Sequence, residues 1–522
     1  MLKPLTTLAA LLTFPLLPAT TFAAETAHPN IVVILSDDIG YGDLVCYGAQ
    51  HVKTPNLDRL AREGVRFTDA HATASVCTPT RFALLTGRYA WRQPGTGIAA
   101  GDAPALIKPG TTTLPSVLKR AGYTTGLVGK WHLGLGAGPK TDFNGEINPG
   151  PLEVGFDSAF FIPATGDRVP CVFVENHRVV GLDPSDPIRV SYGKKIGDGP
   201  TGRDPGVKLK IKGDASHSDT VVNGIPRIGY MTGGKAARWV DEDIADTLTA
   251  KAVSFIETNA AHPFFLYLAT HDIHEPMVPN PRFRGTSDCG WRGDVIHQFD
   301  WTVGEVLATL DRLKLTTNTL VIFTSDNGGK IKDTYDDGTN PLQSRQPPNG
   351  ILRGTKSTLY EGGHRVPFIA RWPGKIPAGG KSDELIAAVD LLSSFAALTG
   401  QKLATNDAPD SFNLLPVLLN APGAKGRDQL VLQNNSMSPL ALREEGWVLI
   451  EKGRRGDRKG GKDTSDDQMQ YELFNLKDDL AQAVNLADAQ PERVTKMAAR
   501  LKQIRDAGFT RPGCKTADGD SR

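Results

Sequence analysis

An excess of charge of either sign is missing from this chain. Its 59 Lys and Arg face 58 Asp and Glu, a formal net charge of +1 over 522 residues. That balance excludes a broad basic field of the kind that holds nucleic acid, so any affinity for anions has to be local. Cysteine is scarce too. The five cysteines, Cys46, Cys77, Cys171, Cys289 and Cys514, fall in no spacing that suits a zinc ion. In an exported protein an odd count leaves at least one thiol unpaired or modified, and Cys171 and Cys289 are candidates for a disulfide. Repeats and low-complexity domains are absent. No apolar run is long enough for a stable membrane span. Apolar residues make up 39% and charged residues 22%, ordinary for a globular protein, and the length allows more than one domain.

What is present begins at the N-terminus. Lys3, the apolar stretch Leu5–Leu17 and the small residues Ala23 and Ala24 ahead of Glu25 have the layout of a secretory signal. Residues 1–24 are therefore expected to be a signal peptide, and the mature protein to be secreted or periplasmic. Residues 25–428 are expected to form a catalytic domain and 429–522 a smaller C-terminal subdomain.

The early two thirds alternate short apolar runs with helical stretches, the pattern of an α/β fold with a mostly parallel sheet. Ile31–Ser36, Thr124–Val128, Pro263–Thr270 and Leu320–Ser325 read as buried strands, with a helix near Leu114–Ala121. The Gly- and Pro-rich stretch from about 170 to 235 reads as an insertion of loops and short strands. In the C-terminal part, Leu430–Gln433 and Trp447–Glu451 read as strands and Lys452–Asp467 as a hairpin loop. Pro491–Ala507 reads as a helix, with Val494, Met497, Leu501 and Ile504 at helical spacing.

Each of the four early strands runs into reactive residues. The first ends at Asp37 and Asp38, the second at Lys130 and His132, the third at His271 and His274, the fourth at Asp326 and Asn327. In a parallel sheet the C-terminal strand ends share one edge, where active sites assemble. Asp37, Asp38, Asp326 and Asn327 offer only oxygen, the donor set of calcium or magnesium, and several carboxylates with one amide favour calcium. Singly, each could be a helix cap or a turn residue. His51, His71, His177 and His217 have no such context and read as surface histidines.

The segment Ser75-Val-Cys-Thr-Pro-Thr-Arg81 has Pro79 placed for the first turn of a helix. Cys77 then stands just ahead of a helix N-terminus, which favours an anion, and Arg81 adds a planar cationic fork. A thiol facing a hard-oxygen metal site is a mismatch, because hard cations do not seek sulfur. The sulfur is expected to be replaced before the site works.

Ser75–Gly87, with its Cys-x-Pro-x-Arg core, resembles the sulfatase signature. Gly122–His132 resembles the second signature of that family, and Asp37-Asp38, Asp326-Asn327 and Gly354-Thr-Lys356 also match. Thr80 stands where serine is commonest. The resemblance implies an alkaline-phosphatase-like α/β sandwich with a small C-terminal α+β unit. It also implies conversion of Cys77 to formylglycine by a maturation enzyme. The hydrated aldehyde attacks sulfur with one hydroxyl, the alcohol leaves, and the second hydroxyl loses its proton to expel sulfate. In this reading Arg81 holds the diol and His132 is the base. Lys130 and Lys356 neutralise sulfate oxygens, and His274 or Lys356 protonates the leaving oxygen. His271 either lines the pocket or shares the role of His274.

The expected substrate is a sulfated carbohydrate, with 6-O-sulfated galactose or N-acetylgalactosamine as the leading choice. The Val169–Val180 and His271–Pro276 regions resemble the galactosamine-6-sulfatase-like branch, and Asp272, Glu275, Arg282 and His177 are candidate contacts to sugar hydroxyls. The rivals are a phosphonate or phosphate diester hydrolase and a catalytically dead glycan-binding protein.

Overall fold

The computed structural model describes residues 28–454 and 469–515. The expected signal peptide and most of the expected hairpin loop lie outside the described residues. Ten strands form one mixed sheet, and its middle is the part the sequence marks most clearly. In spatial order the central five are Thr319–Ser325, Asn30–Ser36, Phe264–Ala269, Thr124–Lys130 and Ser158–Ile162, all parallel. Antiparallel pairings flank them on both sides. Every residue of Asn30–Ser36, Phe264–Ala269 and Thr319–Ser325 is buried. Strands covered on both faces need apolar side chains at successive positions, hence VVIL, FFLYLA and LVIF in place of alternation. Each such side chain removed from water contributes about 1.5–3 kcal/mol before chain entropy is set against it.

Helices pack on the sheet. Leu114–Arg120 opens with a capping box, in which Thr113 accepts from the Ser116 N–H and Ser116 returns a bond to the Thr113 N–H, with Pro115 in its first turn. Ile244–Thr258 packs against the long Gly290–Arg312. The 170–235 stretch is a run of two- and three-residue strands between loops.

The C-terminal part is a four-stranded antiparallel sheet, Gln429–Gln433, Leu440–Glu444, Trp447–Arg454 and Met469–Asn475. The helix Pro491–Ala507 buries Met497, Leu501 and Ile504, spaced for one face, in the core of this sheet. That core also takes in Ala83, Tyr89 and Trp91 from the larger unit. Gln433 accepts from the Ser75 N–H at 2.9 Å and donates to the Thr73 carbonyl at 3.1 Å. The small sheet thus grips the segment that leads to Cys77.

Two expectations need correction. No disulfide joins Cys171 to Cys289, and all five cysteines are free. Cys171 faces the Arg168 carbonyl in the core, while Cys289 caps the long helix near the His51 carbonyl. His71 and His217 are not surface residues but are buried.

His71 lies in a charged seam between the two sheets. His364 donates from Nε2 to the Leu359 carbonyl at 3.2 Å, which leaves its Nδ1 to accept from His71 Nδ1 at 3.0 Å. Arg443, on the small sheet, donates to His71 Nε2 and, at 2.7 Å, to Asp69. Asp69 Oδ1 also lies 2.8 Å from His71 Nε2 and favours a proton there, but burial and Arg443 outweigh it and hold both rings neutral. Burial pushes His364 down to about 3 and, together with Arg443, also lowers His71. Both groups ionise near 6.5 once unfolded, so the stabilisation is complete above that pH and is lost as pH falls below it. Each histidine steepens the acid loss by up to about 1.4 kcal/mol per pH unit. Thermal melts between pH 7 and pH 4.5 are expected to show the loss, and His364→Gln to flatten it. An unchanged slope in that variant would refute the neutral pair.

Candidate active site

The five parallel strands deliver their C-terminal ends to one edge, with Ser36 paired to Ser325, Leu35 to Ala269 and Ala269 to Gly129. Gly129 has φ +115°, and a Cβ there would fall 1.8 Å from the Ala269 carbonyl oxygen. Only glycine lets the two strands approach so closely just before Lys130.

Cys77 is the first residue of the helix Cys77–Thr86 and is 1% exposed. Its Sγ lies 3.2 Å from His132 Nδ1. His132 Nε2 points at the Ala99 carbonyl at 2.9 Å, so it carries the proton, and a lone pair on Nδ1 faces the sulfur. Burial, then the charges of Lys130 and Arg168, hold His132 neutral, well below the usual imidazole range. Burial also raises the Cys77 thiol, against the opposing pull of Lys130 and Lys356.

Arg81, one turn into the helix, donates from Nε and Nη2 to Asp326 Oδ2 at 3.0 and 2.7 Å and from Nη1 to the Lys130 carbonyl at 3.1 Å. Lys130 pairs with Asp37 Oδ2. Lys356 pairs with Asp38 Oδ1 at 2.7 Å, and Asn327 Nδ2 donates to the same oxygen. The chain brings Lys356 there through the next residue, whose N–H donates to the Ser75 carbonyl at 2.7 Å. His274 Nδ1 donates to the Glu275 carbonyl at 2.6 Å, leaving Nε2 at 4.0 Å from Asp38 Oδ2. All ten residues expected to carry chemistry or metal therefore meet in one cluster.

Three carboxylates are matched there by three cations. Burial and the charge of Asp326 raise the Asp37 carboxyl, whereas burial of Asp38 is outweighed by Lys356 and His274, which hold it low. Two buried oxygens, Asp37 Oδ1 and Asn327 Oδ1, have no hydrogen-bond partner. Asp326 Oδ1 has only a long bond, 3.4 Å, from the Asp38 N–H. Orphaned hard oxygens beside mutually repelling carboxylates fit a divalent cation. One carboxylate oxygen each from Asp37 and Asp38 and one ring nitrogen of His274 also lie within 4.8 Å of one another.

The sulfatase family profile matches residues 29–401. This chain belongs to the sulfatase family. By that membership it is a sulfuric ester hydrolase, on a fold of the alkaline-phosphatase-like kind. It is 48% identical, over 92% of its length and 94% of the relative, to an N-acetylgalactosamine-6-O-sulfatase of Bacteroides thetaiotaomicron. It is 35% identical to the steryl-sulfatase of Rattus norvegicus, over 75% of this chain and 70% of that one. A solved structure from work on the metabolism of multiple glycosaminoglycans by Bacteroides thetaiotaomicron superposes with TM-score 0.87. It is 48% identical, covering 92% of this sulfatase and 100% of that chain.

The sequence did not single out a second polar cluster in this sulfatase. Asp167, His217 and Glu275 are buried and place ligating atoms within 4.8 Å of one another. Arg168 pairs with Asp167, and its charge is felt by both Cys77 and His132. Gly166 lies directly against the His271 ring. Of these residues only His217 comes from the 170–235 insertion; Gly166, Asp167 and Arg168 directly precede that stretch. Of the expected sugar contacts only Glu275 belongs here, paired with Lys330. His177 pairs with Glu153, Arg282 with Asp246 and Asp272 with Gln298. Asp167 stands in a turn and His217 in a bend, where no periodicity marks a side chain as buried.

Proposed function

We propose that this sulfatase removes a 6-O-sulfate from N-acetylgalactosamine or galactose in an exported, extracellular or periplasmic setting, with Cys77 converted to formylglycine by a maturation enzyme. The observation that carries the reaction is Cys77 at the start of a buried helix, facing the lone pair of His132 within a ring of Arg81, Lys130 and Lys356. The likeness to the Bacteroides thetaiotaomicron N-acetylgalactosamine-6-O-sulfatase supports the substrate.

Asp37, Asp38, Asp326 and Asn327 would hold calcium, which when bound supplies Lewis acidity and an excess of positive charge toward a sulfate. His132 Nδ1 takes the proton whose loss expels sulfate. Lys130 and Lys356 face the sulfate oxygens; burial opposes the Lys356 charge, but Asp38 raises its affinity for the proton and keeps it an ammonium. Preorganised positive groups of this kind are a large catalytic term. Lys356 is a proton donor as it stands, whereas His274 becomes one only when its Nε2 is protonated. Asp167, Arg168 and His217 are suited to hydrogen-bond the hydroxyls of the ring that carries the sulfate. Among the described residues no helix is long and apolar enough to cross a membrane.

The test is sulfate release from defined mono- and oligosaccharides sulfated at the 2, 3, 4 or 6 position, beside matched phosphate esters. The 6-sulfates are expected to be turned over fastest. A clear preference for another position discards the regiochemistry, and preference for small aryl sulfates or phosphate esters discards the substrate class.

A further inference from the structure

We propose that Thr78 is a positioning residue for His132, fixing both the backbone and the tautomer of that imidazole through one hydroxyl. The inference rests on the reading of His132 as the base of a sulfatase centre.

Thr78 is fully buried beside Cys77. Its Oγ1 donates to the His132 carbonyl at 3.0 Å. A hydroxyl has one proton, so the second contact, 3.2 Å from the Ala99 N–H, is one it accepts. The same Ala99 accepts from His132 Nε2 through its carbonyl. The three bonds close a ring: Thr78 to the His132 backbone, the His132 imidazole to the Ala99 carbonyl, and the Ala99 N–H back to Thr78. Each bond constrains the next. The Ala99 carbonyl can only accept, so it selects the tautomer with the proton on Nε2. Thr78 holds that carbonyl in place by anchoring its own residue.

The backbone needs the same anchor. His132 has φ +53°, in the left-handed region that a β-carbon disfavours. Its carbonyl is held there by Thr78 and its N–H by the Pro163 carbonyl at 3.1 Å. Without the hydroxyl, the Ala99 segment is free to move off Nε2 and the proton can pass to Nδ1. A protonated Nδ1 facing residue 77 cannot take a proton from it. A valine at 78 keeps the shape of threonine and deletes both bonds, and serine keeps both bonds and deletes a methyl.

The experiment uses the matured, calcium-loaded full chain with 6-O-sulfated N-acetylgalactosamine. Rates are normalised to formylglycine content, read by mass spectrometry of the tryptic peptide Phe67–Arg81. Thr78→Val is expected to lower kcat roughly tenfold or more, with KM changed by no more than about twofold, because a misplaced base loses part of its 10²–10⁴ contribution. The acid limb of its kcat profile is expected to move to higher pH, since a loosened imidazole takes up a proton more readily. Thr78→Ser is expected to restore kcat to within about threefold. On a His132→Ala background Thr78→Val should add nothing, as coupled residues are not additive. An unshifted acid limb with unchanged kcat, or losses that simply add on that background, would overturn the proposal. Should Thr78→Val fold or mature poorly, Thr78→Ala deletes the same bonds without overpacking and is read by the same criteria. A wild type that releases no sulfate from any sulfated sugar overturns the reaction itself. An active wild type with an indifferent Thr78→Val overturns this inference alone.

Discussion

Cys77→Ser is expected to complete at most one slow turnover and then stall as a sulfate ester on serine. In the proposed mechanism the reason lies in the two hydroxyls of a hydrated aldehyde at position 77. One can attack sulfur, and the other can lose its proton to His132 and expel sulfate; a serine has only the first. Steady-state activity should fall by roughly 10⁵-fold or more, the scale of nucleophile removal in other hydrolases. The unconverted thiol would serve no better. Burial pushes its pKa up even though Lys130 and Lys356 pull the other way, so it stays protonated at neutral pH, and the adjacent donors are hard oxygens that do not polarise sulfur. Two measurements decide the matter. Mass spectrometry of Phe67–Arg81 from active protein should find formylglycine at 77, and intact-mass analysis of Cys77→Ser after substrate should find the sulfate adduct. An unmodified Cys77 in fully active protein would sink the mechanism.

The central sheet was legible in the sequence because a strand buried on both faces has to be apolar throughout, and four such runs ended in polar residues. The parallel arrangement then carried those ends to one edge, so Asp37, Lys130, His274 and Asp326 could be grouped without knowing any distance. Cys77 and Arg81 were legible through Pro79, which marks a helix start. What escaped depends on long-range partners. His71 looked like a surface residue, yet the guanidinium that helps hold it neutral in the core is that of Arg443, 372 positions away. Asp167 and His217 sit in a turn and a bend, whose sequence resembles any loop. Nothing in the sequence told that Cys171 faces the Arg168 carbonyl and Cys289 the His51 carbonyl. The grip of Gln433 on the segment before Cys77 is made through backbone groups, which no side-chain pattern reports.

Asp326→Ala is expected to remove both metal and activity, because in the proposed assignment one carboxylate serves both Arg81 and the calcium. Its Oδ2 accepts both bonds from Arg81, and its Oδ1 has only a 3.4 Å contact to the Asp38 N–H and is available to an ion. Both Asp326 and Arg81 are fully buried. Deleting the carboxylate leaves the guanidinium with Asp37 at 3.6 Å as its remaining carboxylate, and uncompensated burial of that kind costs about 3–5 kcal/mol. One effect runs the other way. Asp326 raises the Asp37 carboxyl, so its loss eases that repulsion and trims the destabilisation. On the catalytic side, loss of the ion forfeits several kcal/mol of charge stabilisation, so the rate should fall roughly 10³-fold or further. Asp326→Asn separates the two roles: it keeps the shape and one oxygen but not the charge, and should melt closer to wild type while still binding the metal weakly. Elemental analysis after gel filtration should find about one calcium per wild-type chain, as expected of a single hard-oxygen site. Chelation should stop the wild type and added calcium restore it, while Asp326→Ala should stay inactive at millimolar calcium. Full activity of Asp326→Ala with no detectable metal would refute the ligand assignment, and a melt equal to that of wild type would refute the role given to the Arg81 pair.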